Sequence, residues 1–193
     1  MTEFEIYFSG IAGGKINACE KMKRIADILM EQYNNPGEFH FDEDIAKRHI
    51  DFIERFCKIP TGRLGQPLRL ELFQKARLQA IFGFVDDNNI RQYNEVLIIE
   101  GRKNGKTTET AAVELDMLLN DREGSPQIYN VATMLDQAKL GFNAANKMRM
   151  QSPLVSLRYP PYTPSRFASA AINGPLTFLT RPISVSKPLS RAF

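Results

Sequence analysis

Apolar side chains recur every three or four positions through three stretches of the first half of the chain, and each recurrence predicts an amphipathic helix. Over residues 16–33, Met22, Ile25, Ile28 and Leu29 fall on one side, with Glu20, Lys21, Lys23, Arg24 and Asp27 between them. A second helix starts at Asp42-Glu43-Asp44, whose carboxylates suit the positive end of the helix dipole. It presents Ile45, His49, Phe52, Ile53 and Phe56 on one face until Pro60 stops it. A third, from about Leu70 to Phe82, aligns Phe73, Ala76, Ala80 and Ile81. Upstream of these, Phe4-Glu5-Ile6-Tyr7-Phe8 alternates as a strand does and runs into Gly10-Ile11-Ala12-Gly13-Gly14-Lys15. No Ser or Thr follows that lysine, so the stretch is read as a flexible lead-in to the first helix rather than a phosphate loop.

Further along, the period changes. Glu95-Val96-Leu97-Ile98-Ile99-Glu100 is a short β-branched apolar run of the kind found in strands buried on both faces. A glycine turn follows, then a helix from Lys106 to Asn120 with Ala111, Leu115, Leu118 and Leu119 on one side. The loop Asp121 to Pro126 leads to a second strand, Gln127 to Ala132, and to a further helix for which Thr133 is the expected N-cap and Asp136 the capping-box acid. An order of strand, loop, helix, strand, helix predicts an α/β fold with a parallel sheet and right-handed crossovers. The expected organisation is a helical segment over 1–60, an α/β part over 61–150, and a tail over 151–193.

Charge and proline set that tail apart. Up to Asp136 there are 17 basic and 22 acidic residues; beyond it there are 8 basic and no acidic ones. Seven of the 11 prolines lie at or after Pro153. A Pro- and Ser-rich stretch with no carboxylate for its arginines does not sustain helical or strand periodicity for long. The tail is therefore expected to be disordered, or to be translated from a shifted frame. A competing reading makes it a DNA-contacting arm, with Tyr159, Tyr162, Phe167 and Phe178 stacking on bases among the arginines. No apolar run approaches the ~20 residues of a membrane span and no leader pattern follows Met1, so a soluble intracellular protein is expected. Cys19 and Cys57 lack CxxC spacing and His partners, which excludes a zinc site or disulfide framework and leaves two buried thiols as the expectation. His40 and His49 are read as structural.

The candidate chemistry is Gly101-Arg102-Lys103-Asn104-Gly105-Lys106-Thr107-Thr108, between the first predicted strand and its helix. A triphosphate needs donors at close range, and a glycine turn lets successive amides point into one concavity. Gly105 would permit the sharp turn, Lys106 would reach the terminal phosphates and Thr107 would offer its hydroxyl to Mg²⁺. Gly101, Asn104 and Thr108 complete the expected nucleotide-binding set. The run departs from G-x-x-x-x-G-K-[ST], because Glu100 stands where the first glycine belongs and Gly101 is one position late. Arg102 is a candidate catalytic, arginine-finger-like group, or else a solvated loop cation. Val96 to Glu100 alone resembles a Walker B strand, but one strand end cannot supply both the phosphate cradle and the catalytic acid.

Several of these pieces, in order, resemble the N-terminal part of bacteriophage terminase large subunits, the ATPases that drive genome packaging. They are Gly13 to Cys19, Asp42 to Cys57, Gly65-Gln66-Pro67-Leu68 with Phe73-Gln74 and Phe82-Gly83, the loop from Glu100 to Thr108, and Thr133 to Ala138. The resemblance covers about residues 10–150. It implies an incomplete P-loop NTPase of the RecA/ASCE-like kind, with ATP and Mg²⁺ as cofactors and Gln74 as the adenine-recognising residue. The residues alone read Gln74 as an ordinary helix-surface glutamine able to donate and accept. The resemblance also implies double-stranded DNA, a small terminase subunit and a portal as partners, a homo-oligomeric ring, and the cytoplasm of the bacterial host. It further implies a second acidic strand end and a nuclease domain, for which no Asp or Glu remains after Asp136. The expectation is a chain that binds nucleotide but lacks the Walker B and nuclease carboxylates. The alternative is a non-catalytic DNA-binding or interaction protein with a vestigial loop.

Overall fold

The computed structural model describes residues 1–62, 64–121 and 126–158. The candidate base-stacking residues Tyr159, Tyr162, Phe167 and Phe178 and most of the basic tail lie outside these residues, as does the greater part of the 121–126 loop. The described residues divide into two compact units, one from Met1–Ile50 with Leu70–Leu97, the other from Asp51–Arg69 with the described residues from Ile98 to Arg158.

In the first unit, α1 (Glu3–Ala12) packs against α2 (Glu20–Asn34) and against α4 (Leu72–Gly83). Residues 3–12 were expected to be an irregular lead-in and are a helix. Phe4 and Phe8 fit either period. The deciding feature is the capping box, in which Thr2 accepts from the Glu5 amide and Glu5 accepts from the Thr2 amide. Phe4, Phe8 and Ile11 are buried with Ala26, Leu29, Ala76, Ala80 and Phe84 in one core. Gln79 of α4 fixes α1 in place: its side-chain oxygen accepts the Phe4 amide at 2.5 Å and its Nε2 donates to Glu3 at 3.0 Å. On α2 the buried face is turned from the expected one. Ala26 and Leu29 are inside with Met22, Met30 and Tyr33 partly covered, whereas Ile25 and Ile28 are exposed.

A short antiparallel pair, β1 (His40–Phe41) with β2 (Phe84–Val85), completes this unit. Helix α4 leads directly into β2, and the Asp42 amide bonds the carbonyl of Gly83 at 2.8 Å. A Cβ on Gly83 would lie 2.6 Å from the Phe41 ring, so glycine is what lets the helix end approach β1 this closely. Helix α3 (Glu43–Phe56) begins as expected, with Asp42 accepting the Ile45 amide at 2.8 Å. His49 is buried and stacked on Phe82 with ring centroids 4.1 Å apart, a structural role as read from the sequence.

The second unit holds α5 (Lys106–Leu119), α6 (Leu135–Gln151) and the short α7 (Pro153–Arg158), with α6 packed on both α5 and α7. Pro153 occupies the first position of α7, where its missing N–H costs nothing. Cys57 is buried here, as expected, while Cys19 is exposed at the start of α2, contrary to the expectation of a buried thiol. Burial pushes the Cys57 thiol up to about 12, and the Asp116 carboxylate adds to the shift.

The expected parallel sheet is not present among the described residues, whose single sheet is the antiparallel β1–β2 pair. The runs 96–100 and 127–131 lie in irregular connections rather than strands. Leu97, Ile99, Tyr129 and Val131 are exposed at 73%, 83%, 64% and 52%, so the first run is not buried on both faces. An apolar β-branched run becomes a buried strand only when neighbouring strands and covering helices are supplied, and those here do not enclose it.

Candidate functional site

All the predicted phosphate-loop residues sit in the second unit, where the chain turns from residue 100 into α5. Gly101 to Gly105 form an exposed bend whose backbone enters the left-handed region twice, at Lys103 (φ 69°) and at Gly105 (φ 81°). Gly105 is the N-cap of α5 and accepts the Glu109 amide at 3.0 Å. Its conformation disfavours any side chain by roughly 1–2 kcal/mol, which accounts for the glycine. Lys103 bears that cost as a non-glycine residue, a feature no sequence pattern disclosed. The Asn104 amide lies 3.7 Å from the position a Gly101 Cβ would take, so it folds back over the start of the bend.

Lys106 is the first helical residue, and its side chain arches back across the loop. Its Nζ donates to the carbonyl of Glu100 at 2.9 Å and to that of Gly101 at 2.7 Å. The ammonium thereby ties the entry of the loop to its exit. Thr107 follows on the exposed side of the first turn, with Thr108 partly covered and Glu109 buried. The first-turn amides of α5 have no carbonyl of their own helix to bond, and with the positive dipole end they favour an anion. Arg102 is exposed on the bend.

Gln74 belongs to the other unit. Its side-chain oxygen accepts the Glu71 amide at 2.9 Å, while Glu71 accepts the Gln74 amide, a reciprocal cap at the start of α4. The residue is buried at 8% exposure, which corrects its reading as a helix-surface glutamine. The signal was available: an acid or hydroxyl residue followed three positions later by Gln marks a helix start. Thr133 is not the N-cap of α6. Met134 takes that position without a side-chain cap, and the Thr133 hydroxyl reaches Gln137 instead, at 3.4 Å.

The donors at the loop suit a magnesium nucleotide. An ammonium with three N–H groups, a turn of free amides and an exposed hydroxyl match phosphate oxygens and a hard cation respectively. Among the described residues no group of three or more His, Cys, Asp or Glu side chains could hold a metal by itself, and no helix is long and apolar enough to cross a membrane.

Residues 72–158 match the family model of the terminase large subunit, ATPase domain. This part of the chain is similar to that family. The terminase large subunit of Enterobacteria phage HK97 is 40% identical over 110 residues, which are 56% of this chain and 21% of the relative. The crystal structure of the HK97 bacteriophage large terminase aligns with a TM-score of 0.50 and 35% identity, covering 58% of this chain and 22% of that one. The matched segment therefore spans about a fifth of the length of the relative it resembles. The match extends from α4 through α7 and contains both Gln74 and the whole 101–108 bend.

Proposed function

We propose that the chain binds ATP with Mg²⁺ at the 101–108 bend, as the nucleotide-binding part of a DNA-packaging motor. The ATPase part is assigned to about residues 61–150, with parallel strands at 95–100 and 127–132 formed where the rest of a sheet covers them. The observation that carries this reading is the Lys106 ammonium, held across a bend of left-handed residues at the N-terminus of α5. Lys106 and the amides from Gly101 to Thr108 would hold the phosphates, Thr107 would ligate Mg²⁺, and Arg102 would stand beside the terminal phosphate. The resemblance to terminase large subunits assigns the adenine to Gln74. Bound ATP supplies a phosphoanhydride whose hydrolysis is strongly downhill.

To bind, the nucleotide must draw Lys106 away from two carbonyls, exchanging neutral acceptors for charged ones. The ammonium already makes charge-assisted bonds to the carbonyls, and phosphate oxygens add the attraction between opposite charges, which favours the exchange. Packaging-motor partners of the kind the family name implies, double-stranded DNA first among them, are part of the same proposal. Isothermal calorimetry with ATP and Mg²⁺ on the 193-residue chain tests it. Saturable binding that Lys106→Ala weakens by at least about tenfold, some 1.4 kcal/mol, is the expected result. Heat signals that are absent, or equal in the two proteins, would leave the bend vestigial.

A further inference from the structure

The second unit buries one carboxylate that nucleotide binding does not use. Glu114 lies on α5 two turns beyond Lys106 and is 7% exposed. Its Oε2 accepts one hydrogen bond, from Nδ2 of Asn130 at 3.2 Å. Asn130 in turn rests on α6 at a glycine: a Cβ on Gly141 would stand 2.4 Å from the Asn130 side-chain oxygen and 3.5 Å from Oε1 of Glu114. Three stretches, α5, the run 127–131 and α6, thus meet at one carboxylate–amide pair that fits only because residue 141 has no side chain.

We infer that Glu114, Asn130 and Gly141 form a proton-operated clasp that holds the 127–131 run between α5 and α6. With Glu114 neutral, the Asn130 amide satisfies one acid oxygen and no charge is buried. When Glu114 ionises, the buried charge has one amide donor for its two oxygens, and the site admits water at the expense of the clasp. The surroundings do not hold the charge. One turn from Glu114 on α5 stand Thr110, Ala111, Met117 and Leu118, and one turn from Gly141 on α6 stand Gln137, Ala138, Ala144 and Ala145, none of them ionisable. The charged groups of α6 are engaged elsewhere or exposed: Asp136 pairs with Lys139 at 3.7 Å, Lys147 is exposed and Arg149 donates to Asn146. Asp116 is turned about 200° from Glu114 on α5 and bonds Asn120. Tyr129, the one titratable group on the run, is exposed and donates to Gln127.

Burial raises the Glu114 carboxyl to about 7, against a smaller lowering by Asn130. The folded value lies above the unfolded one, so the stability it confers is complete below the ordinary carboxylate range and lost as pH rises through about 7. The clasp closes in weak acid and opens in weak base. Because the run leads into Thr133 to Ala138, the clasp also sets where that turn stands relative to α5.

Exchange of the Asn130 side-chain amide protons with water, followed by NMR in the full chain and corrected for intrinsic rates, tests this at pH 6 and pH 8. The ionised fraction rises roughly tenfold across that interval, and exchange in the parent protein is expected to quicken accordingly. Glu114→Gln, which keeps the shape and removes the charge, is expected to exchange equally slowly at both values. Gly141→Ala, which pushes the Asn130 amide out, should exchange fast at both. A parent protein with pH-independent exchange, or a Glu114→Gln variant as pH-sensitive as the parent, overturns the clasp. A carboxyl NMR titration of Glu114 requires no variant: a midpoint near neutrality supports the inference, and one in the ordinary carboxylate range refutes it. Neither readout depends on nucleotide, so the clasp and the ATP reading succeed or fail separately.

Discussion

Gly105 shows how one residue type can decide a site. The sequence placed it in a turn before a lysine, and the structure adds the reason, a left-handed N-cap at φ 81° from which α5 starts. Gly105→Ala would introduce a penalty of roughly 1–2 kcal/mol that the exposed bend can relieve by rearranging. The loss is therefore expected in ligand affinity rather than in folding. ATP should bind about tenfold more weakly, with the circular dichroism spectrum and melting temperature unchanged. Unaltered affinity would mean that the bend does not hold the phosphates through its backbone. Two residues of this region were not legible in advance. Lys103 adopts a positive φ that its side chain gives no reason to expect. Glu114 was passed over although it stands on the apolar side of a predicted helix beside Ala111 and Leu115, a position where a lone acid must be solvated, paired or protonated.

At the level of elements, the helices were readable where two signals coincided. Helix α3 carried both acidic residues at its start and a 3.6-residue apolar period, and α5 carried the period behind a glycine, so their limits agree with expectation to within a residue or two. Where one signal stood alone the reading failed. Phe4, Ile6 and Phe8 satisfy a strand as well as a helix, and only the Thr2–Glu5 cap separates them. The β1–β2 pair had no periodicity to read, since each strand is two residues long. Its position depends on Gly83, at which α4 ends. Gly83→Ala would drive a methyl to within 2.6 Å of the Phe41 ring and 3.0 Å of Ala46. Overpacking of that kind costs about 1–3 kcal/mol. In a unit of this size each kcal/mol lowers the melting temperature by roughly 4–8 °C, so a drop of about 4 °C or more is expected in a thermal scan. A smaller shift would show that the helix end is free to move off β1.

For the molecule as a whole, the largest departure from expectation concerns side chains that burial was to have covered. The runs 95–100 and 127–132 were expected to pair in a sheet, and they leave several of their apolar side chains exposed. Leu97 and Ile99 on the first run, and Tyr129 and Val131 on the second, are each more than half exposed. Exposed apolar side chains grouped along a stretch of backbone are surfaces on which chains pair with one another. Self-association that grows with concentration is therefore expected, measurable as a sedimentation mass rising above 21.9 kDa. Ile99→Thr combined with Val131→Thr keeps β-branching at both positions and removes a methyl or ethyl group from each exposed site. The paired variant should remain near the monomer mass at concentrations where the parent does not. Both substituted residues lie outside the 101–108 bend, so ATP binding at low concentration should be retained, which separates loss of association from loss of fold. If the paired variant associates as readily as the parent, the contact surface lies elsewhere, and the exposed runs are tolerated by water rather than awaiting a neighbour.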